Sequence, residues 1–397
     1  MTYRPTILQI IPTLNSGGAE MDTLTLTRAL MRAEAQPLIA TEGGRMNEDC
    51  RQAGGEIINF PAATKNPVRI LANAHALKRV IQLHNVDLIH ARSRAPAWSA
   101  LLATRKAGIP FVTTCHGSHG NRGRLRKAYS RVMGRGDRVI AVSQYSADFI
   151  RAQYGTPPTR LRTIYRGIDL NRFNPSLISP ERLSRIRTLW RVKETQPIVL
   201  HAARLTRLKG HRTLIEAVAQ LFAQGGLGDT IVILAGEAAA RDAYREELEQ
   251  GIAAAKMADH IRLVGYCDDM PAAFSLAHVS VVASTRAETF GLVSAEAQAM
   301  CCPVIATDLG ANPETLIPSL DKNYTGWLCP PSDASALSER LATALALSTR
   351  ERKAIGMRAR AHALARFSEE SMQRATLAVY DELLGTKLVE TFDHSSR

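Results

Sequence analysis

Short runs of β-branched and aliphatic residues alternate with helix-length segments along this chain, and the alternation starts over once, near the middle. In the first half the runs fall at 7–11, 37–40, 56–60, 86–90, 111–114, 138–142 and 161–165, with segments such as 19–33 and 70–83 between them. Apolar runs of this length, separated by stretches long enough to cross back over a sheet, specify parallel strands covered by helices on both faces. A polar, proline-bearing stretch follows at about 171–180. The pattern then resumes at 198–202, 231–235, 261–265, 279–283, 303–306 and 327–329, with helical segments at 214–224 and 243–255. The 397 residues exceed one ordinary core and suit two. The fold class expected is α/β, with two Rossmann-like, doubly wound domains facing a central cleft at the carboxyl ends of their strands. The expected boundaries are 1–170 for the first domain, 171–195 for a linker and 196–367 for the second domain. A last helix is expected over 368–385, packing back towards the first domain, with a flexible tail at 386–397.

Charge is divided unequally between the halves. Residues 1–170 hold 24 Lys and Arg against 11 Asp and Glu, whereas residues 171–397 hold 26 of each. The formal excess of +13 therefore belongs to whatever the first half faces, and nucleic acid, an anionic membrane surface or an acidic acceptor would each fit. Nucleic acid is disfavoured, because aromatic residues make up only 5% and are not interleaved with the cations as stacking platforms. A nicotinamide-dependent oxidoreductase is disfavoured as well, since no G-x-G-x-x-G fingerprint occurs. The six cysteines contain no C-x-x-C pair and no histidine at zinc spacing, so buried reduced thiols are expected. No stretch approaches the roughly 20 apolar residues of a spanning helix, and Met1-Thr2-Tyr3-Arg4-Pro5 runs straight into a strand. A cytoplasmic protein is expected.

Two segments of the second half have the composition of a phosphate and sugar site. The first, residues 284–296, leaves a buried strand and opens a helix, with Gly291 permitting close backbone approach. Free N–H groups in that first helical turn would attract phosphate. Glu288 and Glu296 are eight residues apart, at most about 12 Å if both lay on one helix. That spacing suits the two ends of an extended ligand better than a single atom. The second segment, residues 201–210, also passes from strand to helix and sets Arg204 and Lys209 beside the turn. Two cations there suit a diphosphate whose charge grows as it departs, although solvated surface charge is an equal reading of this segment alone.

Taken together and in this order, Arg204, Lys209-Gly210 and Glu288-x7-Glu296 resemble the signature of retaining glycosyltransferase family 4, which has the GT-B fold. Gly265-Tyr266, the run 303–308 and Asn312-Pro313-Glu314 extend the likeness, which covers nearly the whole chain. By that resemblance the second domain binds a nucleotide diphosphate sugar as co-substrate, with no prosthetic group. Arg204 and Lys209 would hold the diphosphate, Glu296 the ribose, and Glu288 the transferred sugar together with the backbone of Phe290, Gly291 and Leu292. Gly17-Gly18, between the first strand and first helix, is by itself either a plain turn or a phosphate-approach loop; the resemblance places it over the donor phosphates and acceptor. His116 follows the strand at 111–114 and matches a family position that contacts the donor sugar. Nearby His119 has no such support. No D-x-D occurs in the chain, so no metal is expected to be required.

The first domain would bind the acceptor. Segment 122–135 carries six cations and no acid, with Leu125, Tyr129, Val132 and Met133 at helical spacing. It reads either as an ordinary surface helix or as an interfacial element, Arg122, Arg124, Arg126, Lys127 and Arg131 meeting anionic headgroups at roughly 1 kcal/mol per cation. Arg92 and Arg94 follow a strand end and would meet acidic groups of the acceptor. Residues 90–98 and 111–117 resemble lipopolysaccharide-core mannosyltransferases, which implies GDP-mannose as donor and an acidic, membrane-held glycolipid as acceptor, on the cytoplasmic face of the inner membrane. A UDP-sugar-dependent enzyme of cell-envelope polysaccharide is the alternative. One departure stands out: the family commonly carries Asn-Gly-hydrophobic-Asp before the linker, and this chain has Arg166-Gly167-Ile168-Asp169. Arg166 is expected to meet the acceptor or the phosphates instead.

Overall fold

The computed structural model describes residues 3–15, 17–117, 123–237 and 243–395. It divides into two compact units, residues 1–167 with 369–397, and residues 168–368. The first unit is built on seven parallel strands: β1 (Thr6–Ile10), β2 (Gln36–Thr41), β3 (Glu56–Asn59), β4 (Leu88–Ala91), β5 (Phe111–Cys115), β6 (Arg138–Ala141) and β7 (Leu161–Thr163), in the order β3-β2-β1-β4-β5-β6-β7. β1, β4 and β5 are buried along their whole length, as strands covered on both faces must be. Strand order reverses between β1 and β4, whose register pairs Ile10 with Ala91.

The second unit repeats the plan with six parallel strands: β8 (Ile198–Ala202), β9 (Ile231–Ala235), β10 (Ile261–Gly265), β11 (Val279–Val282), β12 (Val304–Thr307) and β13 (Gly326–Cys329). Their order is β10-β9-β8-β11-β12-β13, so the reversal lies between β8 and β11. In open parallel sheets such a reversal leaves a crevice at the carboxyl ends of the two inner strands, where ligands bind. Each unit thus has one such crevice. Its walls are the loops after β1 and β4 in the first unit, and after β8 and β11 in the second.

Two stretches are more structured than their composition suggests. Residues 171–195, expected to be a linker, contain helix Pro180–Trp190, started by the Ser179 side chain on the Arg182 N–H with proline in the first turn. Ile186 and Trp190 are buried, and Arg182 grips Asp269 with two hydrogen bonds of 2.6 and 2.8 Å. This helix is part of the second unit. The expected flexible tail likewise carries helix Leu388–His394, whose Leu388 and Phe392 are buried, with the Arg32 guanidinium 3.8 Å from the Phe392 ring centroid. Just before it, helix Glu369–Leu384 buries Leu377 and Tyr380 among Ile7, Leu30, Val112 and Ile140. Its Glu382 accepts hydrogen bonds from both Arg138 and Arg162, at 2.6 Å each. Phe392 and Tyr380 each contribute on the order of 1.5–3 kcal/mol by burial.

Candidate active site

In the second unit, β8 runs through Ala203 and Arg204 into the turn Arg207–Lys209 and helix His211–Ala223. Gly210 caps that helix at φ +75°, and a Cβ there would overlap the Ala283 carbonyl. Only glycine therefore lets this turn press against the end of β11. From β11 the chain passes Ser284 to Gly291 and enters helix Leu292–Ala299, capped by Gly291 at φ +89° with no side chain to satisfy the first-turn N–H groups. The Thr285 N–H donates to the Leu208 carbonyl at 2.9 Å, tying the two loops together. Lys209 and Glu288 consequently meet, Nζ to Oε1 at 2.7 Å. Ser284 Oγ donates to the same carboxylate oxygen. Both side chains remain about one-quarter exposed, so the pair faces the crevice.

A buried polar frame holds this loop. The Glu288 carbonyl accepts from the Ala311 N–H at 3.0 Å, and Gly310 fits there because a Cβ would meet the Glu288 backbone. Asn312 Nδ2 donates to the Thr307 carbonyl and hydroxyl at 3.2 Å each, and Thr307 Oγ1 donates to the Ser284 carbonyl at 2.9 Å. Thr315 donates to Ser294 Oγ at 2.9 Å beneath the helix start. Behind the site, His201 holds the Val281 carbonyl at 2.8 Å and stacks edge-on against His211. Burial lowers these imidazoles to about 4 and about 3, keeping both neutral at physiological pH. Arg204 is exposed and Glu296 half-buried on its helix. The Phe290 ring is buried edge-on against Phe367. Glu288 is not helical, which corrects the single-helix spacing used to relate it to Glu296: it pairs with Gly310 in an isolated bridge four residues before the helix begins.

In the first unit, Gly17 caps helix Gly18–Arg32 without a side-chain bond. Arg166 lies across Gly18, where any Cβ would overlap its guanidinium, and donates to the Gly18 carbonyl at 2.9 Å. It also donates to Asp22 at 2.9 and 3.3 Å. Arg166, expected to meet the acceptor or the phosphates, is thus held by an internal carboxylate. Burial alone would raise the Asp22 carboxyl, but Arg166 and Arg92 together hold it below its usual value. His116, just beyond β5, lies 3.5 Å from Asp22. Burial and the two arginines lower it to about 3, against the pull of Asp22, so the imidazole is neutral.

Arg92 follows β4 and is buried, its N–H bonded to the Ile10 carbonyl at 3.3 Å. Arg94 donates to Ser130 Oγ at 3.2 Å and lies over the Tyr129 ring. The basic segment forms helix Arg124–Ser130 and then a 3-10 turn, Arg131–Gly134. Arg124, Arg126 and Arg131 are exposed and Lys127 partly so. Its apolar residues do not form one free face, because Val132 and Met133 belong to the core and only Leu125, 88% exposed, points away. Arg122 and His119 lie outside the described residues.

Asp22 and Ser284 escaped the sequence reading. Asp22 shares helical spacing with Leu26 and Leu30, and a carboxylate on that apolar face was the available signal. Among the described residues no group of three or more potential metal ligands occurs, and no helix is long and apolar enough to cross a membrane.

The family described as Glycosyltransferase Family 4 matches residues 16–172, and that described as Glycosyl transferases group 1 matches residues 184–362. A GDP-mannose-dependent monoacylated alpha-(1-6)-phosphatidylinositol monomannoside mannosyltransferase of Corynebacterium glutamicum is 29% identical, over 80% of this chain and 81% of that protein. A putative glycosyltransferase of Bacillus subtilis, EpsD, is 30% identical over 68% of this chain and 70% of its own. The crystal structure of a glycosyltransferase from Rickettsia africae superposes with a TM-score of 0.88 at 31% identity, covering 97% of this chain and all of the other. The chain belongs to glycosyltransferase family 4 and has the GT-B fold.

Proposed function

We propose that this protein transfers a hexose, with retention at the anomeric carbon, from a nucleotide diphosphate sugar to an acidic, membrane-held glycolipid. The observation that carries the proposal is the meeting of Lys209 and Glu288 at the strand-order reversal of the second sheet, beside the uncapped start of helix Leu292–Ala299. In this reading Lys209 exchanges its carboxylate partner for the donor diphosphate, and Arg204 is the second cation. The freed Glu288 accepts from the sugar hydroxyls, alongside the backbone N–H groups of Phe290, Gly291 and Leu292. Glu296, one turn into the helix, takes the ribose. In the first unit, Gly17 and Gly18 present backbone to the donor phosphates, and neutral His116 hydrogen-bonds the sugar.

Among the described residues no carboxylate pair is arranged for double displacement, so the reaction favoured is front-face. The bond from the anomeric carbon to the leaving phosphate oxygen breaks as the acceptor oxygen adds on the same face. The acceptor proton passes to the departing phosphate, whose charge Arg204 and Lys209 take up. Removing one such preorganised group costs on the order of 100- to 1,000-fold in rate. No metal is assigned a step, and unchanged turnover in the presence of chelator is the expected result.

GDP-mannose is the donor proposed, a choice supported by the Corynebacterium relative's name. The acceptor favoured is the acidic inner core of lipopolysaccharide, and the exposed cations of helix Arg124–Ser130 are proposed to attract the enzyme to an anionic inner-membrane surface. UDP-sugar-dependent synthesis of envelope polysaccharide is the alternative. Incubation with GDP-mannose, UDP-glucose or UDP-galactose and a lipid-linked acceptor, with the product's anomeric configuration read by NMR, tests the reading. An α-linked product from one donor supports it, whereas inversion or no transfer from any of them contradicts it.

A further inference from the structure

We infer that the first unit carries a buried oxyanion subsite built on Arg92, which takes a carboxylate or phosphate group of the acceptor. The inference rests on the reading that this unit receives the acceptor. Arg92 sits at the strand-order reversal, immediately after β4, and is only 7% exposed. Its Nε and Nη1 are buried and have no hydrogen-bond partner among the described residues. A guanidinium cannot shed its charge by deprotonation at accessible pH, and a buried one is ordinarily paired. Here the carboxylate that faces it is Asp22, which is already committed to Arg166. His90 and His116 beside it are held neutral by burial, and the Tyr380 phenol, pushed up by burial, stays protonated as well. Two guanidinium groups therefore share one carboxylate, and one positive charge is left uncompensated inside the unit.

Two cavities adjoin Arg92, and only the larger has room for more than a water-sized group. A cavity of about 20 Å³, lined by Asp22, His90, Arg92, His116 and Arg166, has room for a water-sized group. A second cavity of about 80 Å³ is lined by Arg92, Arg94, Cys115, His116 and Tyr154. Arg92 and His116 border both. The planar fork of Arg92 matches the two oxygens of a carboxylate or phosphate, and in a desolvated pocket such a charge-assisted pair is strong and directional. Arg94 adds a second cation at the larger cavity. The floor is closed by a rigid chain in which Tyr380 Oη and Thr114 Oγ1 lie 2.7 and 2.6 Å from the two ring nitrogens of His90.

A residue kept for an absent ligand behaves differently from a structural one. Arg92→Gln removes an uncompensated buried charge, so the ligand-free variant should melt no lower than wild type; a structural arginine would give a clear fall. Calorimetric titration of the full chain with glucuronate, glucose 6-phosphate and uncharged glucose reads the subsite directly. Wild type should bind one anionic sugar and not glucose, and Arg92→Gln should weaken that binding at least tenfold while keeping its response to GDP or UDP. Arg92→Lys, which keeps the charge but not the fork, should fall between. Preference for glucuronate identifies a carboxylate-bearing acceptor, and preference for glucose 6-phosphate a phosphate-bearing one. If wild type binds neither anion, if Arg92→Gln binds them equally well, or if it melts well below wild type, the subsite is wrong. A wild type that binds an anionic sugar but no nucleotide would instead overturn the donor assignment and leave the subsite standing.

Discussion

Lys209 and Glu288 lie 79 residues apart in sequence, yet their charged ends are 2.7 Å apart. Both sit on loops that leave the inner strands of one sheet, and the Thr285 to Leu208 backbone bond sets the spacing. Lys209→Ala should lose on the order of 100- to 1,000-fold in kcat, and Glu288→Gln should lose activity with little change in melting temperature. Steady-state kinetics beside thermal melts checks both. Normal turnover in either variant would remove that residue from the site.

The turn that carries Lys209 depends on Gly210. Alanine there combines a left-handed φ with overlap on the Ala283 carbonyl. Destabilisation beyond the roughly 1–3 kcal/mol of a strained φ alone is expected in denaturant unfolding. Gly108→Ala is the control: it shares a positive φ of 73° but has open space around it, and it should cost less.

Arg166→Ala leaves the Asp22 carboxylate buried and short of its main partner. Destabilisation below the roughly 3–5 kcal/mol of breaking an isolated buried pair is expected, because the Arg92 charge still faces Asp22. The double variant Arg166→Ala with Asp22→Asn should recover a substantial part of it. Chemical denaturation of wild type, the two single variants and the double variant measures this coupling, and purely additive losses would contradict it.

Acid should destabilise the protein early. His116, His201 and His211 are lowered by burial to about 3, 4 and 3 from an ordinary value of 6.5. Below pH 6.5 the unfolded chain binds protons at these sites and the folded chain does not. Stability therefore falls as pH drops from about 6.5 towards 3–4, by up to about 1.4 kcal/mol per pH unit for each histidine. The Asp22 contribution is present above the unfolded carboxylate range and is lost only at still lower pH. Urea titrations at pH 7.5, 6 and 5 should show the loss, and His116→Asn should flatten it. A pH-independent midpoint would contradict it.

The end of the chain should be needed for stability. Phe392→Ala removes a fully buried ring and should cost about 3–5 kcal/mol. A melting temperature unchanged by this substitution would mean that the helix Leu388–His394 is not docked.

The strands were legible because both sheets are parallel and covered on two faces, so each inner strand is a continuous apolar run such as Ile7–Leu8 or Val281–Val282. The site loops were legible for a related reason, since polar and glycine residues directly after those runs mark the carboxyl ends. What escaped was long-range pairing. Nothing in the sequence near Arg166 announces Asp22, which lies 144 residues earlier. Helix Pro180–Trp190 had its own signal in Ser179-Pro180-Glu181, a cap with proline and an acid in the first turn. It was masked by the polarity of its surroundings. Helix Leu388–His394 buries only Leu388 and Phe392, too few residues for a periodic pattern to register. The Glu288–Glu296 spacing misled because Gly291 starts the helix only at Leu292, and no periodicity distinguishes a loop residue from a helical one over so short a span.

The most direct test of the central claim is a thermal-shift panel of GDP, UDP, ADP, CMP and NAD on wild type and Lys209→Ala. At 100 times its dissociation constant a ligand stabilises by about 2.7 kcal/mol, several degrees for units of this size. One nucleoside diphosphate, GDP on this account, should raise the wild-type melting temperature and leave Lys209→Ala unmoved. A response to NAD alone, or an equal nucleotide shift in both proteins, would contradict a donor site built on Lys209 and Glu288.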